Sequence, residues 1–143
     1  MTIQHKRDQL IQRLSAIKGF HDRFARIVEE GKRRPPLEPA LRVDRYKVDG
    51  CLSNLWFIPE FRDGKCYFIL DADSLIVKSI AGLLCDLYSG FSPEEILSLD
   101  PGFLAVVGIT QHLSPNRRNS LSRIWEKIRG FAEEHLPRTS LDR

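Results

Sequence analysis

The chain has 143 residues, 42% hydrophobic and 29% charged, a globular mix that excludes dominant disorder and the collagen-like and low-complexity classes. Lys and Arg number 22 against 19 Asp and Glu, a formal net charge of +3, which permits acidic partners without the clustered basic stripe expected of a nucleic-acid binder. No apolar run approaches the roughly 20 residues of a membrane span, Met1–Arg7 carries no apolar secretory segment, and three widely spaced cysteines form neither a disulfide framework nor a zinc pattern, so the expectation is one domain over residues 1–143 in a reducing, cytoplasmic compartment.

Two helices are predicted within residues 3–30. Leu10, Ile11, Leu14 and Ile17 recur at helical spacing, Gly19 interrupts, and Phe20, Phe24, Ile27 and Val28 mark a second amphipathic helix. Gly31 stands where a left-handed C-terminal cap is expected. Lys32, Arg33 and Arg34 form a small basic cluster. Pro35, Pro36 and Pro39 follow, and they predict an extended surface segment.

Residues 43–70 predict a small antiparallel sheet of about three strands. Val43 to Val48 is the first run, Leu55 to Ile58 the second and Cys66 to Leu70 the third, with Arg62-Asp63-Gly64 as a hairpin turn. Helices return over residues 74–136. Asp73 or Ser74 caps a helix carrying Ile76, Ile80, Leu83, Leu84 and Leu87, which ends at Gly90. Ser92-Pro93-Glu94-Glu95 is a capping box with Phe91 and Ile96 at its staple positions. Asp100-Pro101 repeats the device, with Leu99 and Leu104. Ser114-Pro115 opens a final helix striped by Leu121, Ile124, Trp125, Ile128 and Phe131. The order of helices, strands and helices is that of an α+β domain, a small antiparallel sheet packed by helices.

Cys66 lies in an apolar strand and Cys85 among apolar helix residues, where cysteine acts as a small hydrophobe. Cys51 differs. It follows Gly50 in a loop between two predicted strands, where exposed backbone N–H groups can favour a thiolate. Spacing alone leaves it open between a loop residue and a functional thiol. His112 offers a base for such a thiol, but nothing in the sequence brings the two together. A ring that satisfies backbone groups before a helix start is the preferred reading. His5, His21 and His135 sit among charges and read as surface residues. Arg117 and Arg118 fall in the first turn of the last helix, where cations oppose the helix dipole, a placement that hints at another role beside that of a solvated pair.

Val48-Asp49-Gly50-Cys51-Leu52-Ser53-Asn54-Leu55-Trp56 resembles the Gly-Cys-x-Ser-x-x-Trp loop of the SufE family of cysteine desulfuration proteins. Gly31 to Leu37 is similar to that family's Gly-x-x-Leu-Pro-x-Leu linker. Asp71-Ala72-Asp73-Ser74-Leu75-Ile76-Val77-Lys78 is similar to its Asp-Ser-Asp-x-x-Ile-Val-Lys-Gly helix start. Gln111-His112-Leu113-Ser114-Pro115-Asn116-Arg117 is similar to its Gln-His-Leu-[Ser/Thr]-Pro-x-Arg segment. The four motifs keep register from about residue 5 to residue 136. Departures stand at Leu52 and Asn54, where the family commonly has Gln, at Arg34 for Leu, at Ser79 for Gly, and at Asn119-Ser120, where a Gly often precedes Leu121. Those at Leu52 and Asn54 flank the cysteine and bear on partner choice.

The resemblance implies a fold like that of the IscU-type scaffold and a sulfurtransferase-type accessory role without independent turnover. Cys51 would take persulfide sulfur from a SufS/CsdA-type cysteine desulfurase, stimulate that enzyme, and pass the sulfur to iron–sulfur scaffold proteins. Pyridoxal phosphate would belong to the desulfurase, and this chain would carry no cofactor and no metal. Arg117 would stabilise the thiolate or persulfide anion. Gly50, Leu52, Ser53, Trp56, Asp73 and His112 would shelter the loop or meet the partner, with Leu52, Leu55 and Trp56 as an apolar cover for the tucked sulfur. A monomer or weak dimer is implied, with no nucleic acid and no membrane. The alternatives are an IscU-like cluster scaffold, which needs about three converging ligands, a partner-independent Cys51/His112 thiol enzyme, and a nucleic-acid binder using Lys32, Arg33 and Arg34.

Overall fold

A computed structural model describes residues 1–137; residues 138–143, assigned from sequence to the same domain, lie outside the described residues. Helix α1 spans Ile3–Ser15, and Thr2 Oγ1 accepts the His5 N–H at 3.1 Å to cap it. Gly19, at φ 83°, redirects the chain into α2, Phe20–Lys32.

Gly31 does not form the expected left-handed cap. The helix runs through it and closes on Arg33 in right-handed geometry. Close packing is the reason for a glycine here: a Cβ on Gly31 would stand 1.8 Å from Ser79 Oγ. Two members of the basic cluster that follows are paired. Lys32 Nζ lies 3.6 Å from Glu29. Arg34 folds back over Gly82 and grips Asp86 with two hydrogen bonds of 3.1 and 2.7 Å.

The sheet has two strands, β1 (Leu55–Arg62) and β2 (Lys65–Ala72), paired antiparallel from Leu55↔Ala72 to Arg62↔Lys65. Asp63 and Gly64, at φ 53° and 78°, make the two-residue turn, the primed geometry that matches strand twist. The third expected strand does not form. In extended geometry Val43 falls on one face with Arg45 and Lys47, and Tyr46 and Val48 on the other with Asp44, so only the C-terminal end of the run offers an apolar side to bury. Val43 is exposed and Val48 is buried. Asp44–Tyr46 instead makes a 3₁₀ turn, and a lone bridge joins Lys47 to Trp56. The cysteine loop therefore lies between a turn and β1, not between two strands.

At the other edge of the hairpin the Cys66 N–H donates to Phe91 O at 2.9 Å and the Gly90 N–H to Cys66 O at 2.8 Å. Ser89 Oγ serves both Phe68 N–H and Phe68 O, so these edge groups are satisfied.

Helix α3, Leu75–Tyr88, is capped by Ser74. Ten of its 14 residues are buried, because β2, α2 and the final helix all pack on it. Helix α4, Pro93–Leu97, keeps the Ser92 half of the expected capping box: Ser92 Oγ accepts the Glu95 N–H at 3.3 Å, while Glu95 Oε1 accepts from the Ser92 hydroxyl at 3.3 Å instead of from its backbone N–H. The Asp100-Pro101 device is looser. Asp100 Oδ1 accepts the Gly102 N–H, and α5 is one short turn, Phe103–Val106. Helix α6, Pro115–Glu134, is capped by Ser114, and Leu121, Ile124 and Ile128 are buried as the stripe requires. One contiguous core joins buried residues of all six helices and both strands.

Candidate functional site around Cys51

The Val48 N–H donates to Leu55 O at 2.8 Å and closes the loop that carries Cys51. Gly50, at φ 82°, turns the chain in the left-handed region, where a side chain would be strained. Cys51 follows, half-buried and packed against the core. Leu52 is 84% exposed; it does not cover Cys51, contrary to the expected apolar shelter. The turn at Gly50 sends Leu52 outward, while Leu55 and Trp56, already in β1, are buried beneath.

The C-terminal side of the loop is clasped to the start of α3. Asn54 Nδ2 donates to Asp73 Oδ2 at 2.8 Å, and the Asp73 N–H donates to Asn54 O at 3.0 Å. Arg42 ties this clasp to the core. Its guanidinium lies 4.4 Å from the Trp56 ring centroid and donates to Asp73 Oδ1 at 3.0 Å. It also reaches within 3.8 Å of Asp71.

Asp71 is only 3% exposed. Burial pushes its carboxyl up. The backbone N–H groups of Leu37 and Ala72, together with the Lys78 ammonium at 3.3 Å, outweigh that and hold it below the ordinary carboxylate range.

Helix α6 forms the other wall. Asn119 Nδ2 donates to Gly50 O at 2.8 Å. Arg123 lies against the same residue, since a Cβ on Gly50 would be 3.1–3.2 Å from its guanidinium. Arg117 sits in the first turn, and its backbone N–H donates to Ser114 Oγ. Its exposed side chain shares an open pocket of about 410 Å³ with Leu52, Ser53, Ser74 and Asn116.

The structure therefore brings Arg117, Leu52 and Ser53 to one pocket, and Trp56 and Asp73 to one cluster through Arg42. It does not bring His112 to Cys51. The His112 ring stacks on Phe20 with centroids 3.6 Å apart, its Nδ1 bonds Gly108 O at 2.8 Å, and no hydrogen bond joins it to Cys51 among the described residues. The backbone-satisfying reading of His112 matches this geometry. His135 is not a plain surface residue either; it packs on Phe61 and Phe131.

Cys66 and Cys85 are buried. Burial, then the nearby Glu94 carboxylate, pushes the Cys66 thiol up to about 11. Burial, then Asp86, pushes Cys85 higher still. Both thiols stay protonated at neutral pH, so neither offers a thiolate. Among the described residues no group of three His, Cys, Asp or Glu side chains is placed to hold a metal ion, and no helix is long and apolar enough to cross a membrane.

Arg42, Asn119 and Arg123 were missed by sequence reasoning. The spacing of four between Asn119 and Arg123 places both on one helix face, a signal present in the sequence that does not say what that face meets. Arg42 had no local signal.

Residues 8–132 match the family described as SufE, an Fe-S metabolism associated domain. The chain is similar to an uncharacterized SufE-like protein of Rhizobium meliloti (strain 1021), at 28% identity over 135 residues, covering 91% of this chain and 96% of that one. Its fold is similar to the solution structure of a hypothetical protein from Thermus thermophilus, with a TM-score of 0.73 at 22% identity, covering 91% of this chain and 95% of that chain.

Proposed function

The chain belongs to the SufE family, whose domain is associated with Fe–S metabolism, and on that premise we propose that it is a sulfur acceptor that works on a cysteine desulfurase. Residues 1–143 are read as its single domain. The observation that carries the proposal is the contrast among the three thiols: Cys51 is half-buried on a left-handed turn, while Cys66 and Cys85 are sealed in the core.

The Cys51 thiolate attacks the outer sulfur of the desulfurase persulfide. One S–S bond forms at Cys51, the S–S bond on the desulfurase breaks, and the desulfurase cysteine leaves as a thiolate. The persulfide proton stays with the transferred sulfur or passes to that leaving group, so no external oxidant or reductant takes part. Cys51 then carries the sulfur to iron–sulfur scaffold proteins. The pyridoxal phosphate chemistry that first frees the sulfur belongs to the desulfurase. Arg117, facing the Leu52–Ser53 side of the loop, supplies positive charge to the sulfur anion. Exposed Leu52 meets the partner.

The test is intact mass after the protein is mixed with a cysteine desulfurase and free cysteine without reductant. Wild type is expected to gain one sulfur atom and Cys51→Ser none. A wild-type mass that stays unchanged while Cys51 still alkylates overturns the reading.

A further inference from the structure

The Cys51 loop is fixed at both ends and held in the middle by one helix. The Val48–Leu55 bond closes it, and the Asn54–Asp73 clasp secures its exit. Between these anchors, among the described residues, Asn119 makes the single side-chain hydrogen bond that reaches residues 49–53, to Gly50 O at 2.8 Å. One turn along α6, Arg123 also lies beside Gly50; a Cβ there would stand 3.1–3.2 Å from its guanidinium, a tight approach.

We propose that Asn119 and Arg123 are positioning residues that clamp Gly50 against α6 and so hold Cys51 in its half-buried position until a partner docks. The inference rests on Cys51 being the sulfur-accepting thiol. A half-buried sulfur must come outward to meet a partner's persulfide, and with both loop ends anchored the motion is confined to residues 49–53. Releasing it breaks one side-chain hydrogen bond, the packing of Arg123 on Gly50 and the contact of Cys51 with the core. Arg123 already pairs with Glu126, 3.6 Å away on the same helix. Its charge remains paired when the loop departs. Gly50 is thus constrained twice, by its left-handed backbone and by the guanidinium pressed against it.

The test measures iodoacetamide alkylation of Cys51 in the isolated full chain by peptide mass, over a pH series carried to the thiolate plateau. The plateau rate reports access and not acidity. Asn119→Ala is expected to raise it about threefold or more, the factor that loss of one ordinary hydrogen bond supplies. Arg123→Gln is expected to raise it as well, and Asn119→Gln, which keeps the amide donor, to stay near wild type. Cys66 and Cys85 should remain unreactive in every variant. A plateau rate in Asn119→Ala equal to wild type overturns the clamp, and so does a rise that Cys66 and Cys85 share, which would report general loosening. The same proteins are then mixed with a cysteine desulfurase and free cysteine. No sulfur on wild type would overturn the acceptor reading, while the alkylation series still decides the clamp.

Discussion

Asn54 and Asp73 hold each other twice, side chain to side chain at 2.8 Å and backbone N–H to backbone carbonyl at 3.0 Å. The pair joins the exit of the cysteine loop to the residue before the α3 cap. Asn54 is a departure from the resembling motif, read from sequence as bearing on partner choice. Its amide is committed to the protein's own framework.

Replacing Asn54 by Ala removes the amide donor and leaves Asp73 with Arg42 and water. The expected loss is about 1 kcal/mol, that of a hydrogen bond to a charged group at an exposed site. Urea denaturation measures it, with an unchanged m-value showing that the loss is one of stability.

Arg42 covers the Trp56 ring and pairs with Asp73. Arg42→Ala should cost about 1 kcal/mol, discounted for its partial exposure, and shift Trp56 emission to the red as water reaches the ring. Arg42→Lys keeps the charge without the planar stack and should restore only part of the loss. Emission read in a Trp125→Phe background isolates Trp56, and an unshifted spectrum in Arg42→Ala would refute the contact.

Asp71 carries the acid sensitivity of this region. Its folded-state carboxyl titrates below the ordinary 3.8, so its contribution to stability is present above that value and is lost as pH falls below it. Asp71→Asn should therefore flatten the dependence of stability on pH in the acid range while lowering stability at neutral pH. Thermal melts across a pH series read both effects. Equal acid slopes in the two proteins would count against the assignment.

Gly31 and Ser79 set the approach of α2 to α3. Gly31→Ala places a methyl group into Ser79 Oγ and should destabilise by about 1–3 kcal/mol, as overpacking does. Ser79→Gly in the same chain makes room, and the double variant should recover part of that loss despite a glycine inside α3. Calorimetry of the four proteins closes the cycle.

Local chemistry made much of this protein legible. Ser74, Ser92 and Ser114 cap α3, α4 and α6 as read, and Asp63-Gly64 turns the hairpin. These features depend on hydrogen bonds and φ preferences within a few residues, so a short stretch of sequence states them in full. The run from Val43 to Val48 misled because β-prone residues alone do not make a strand. A strand needs a neighbour along its length, and this run meets β1 only at the Lys47–Trp56 bridge.

Residue order alone was enough for the α+β class, the capped helix starts, the loop bearing Cys51 and the motifs that resemble one family. Packing had to decide that Gly31 is a close-approach site, that Leu52 faces outward, that His112 stands with Phe20, and that Arg42, Asn119 and Arg123 surround the loop. The cause is distance along the chain. Asn119 and Gly50 are separated by 69 positions, and Arg42 and Asp73 by 31. A contact of that kind is created by the packing of α6, β1 and α3 around one core, and no local propensity encodes it.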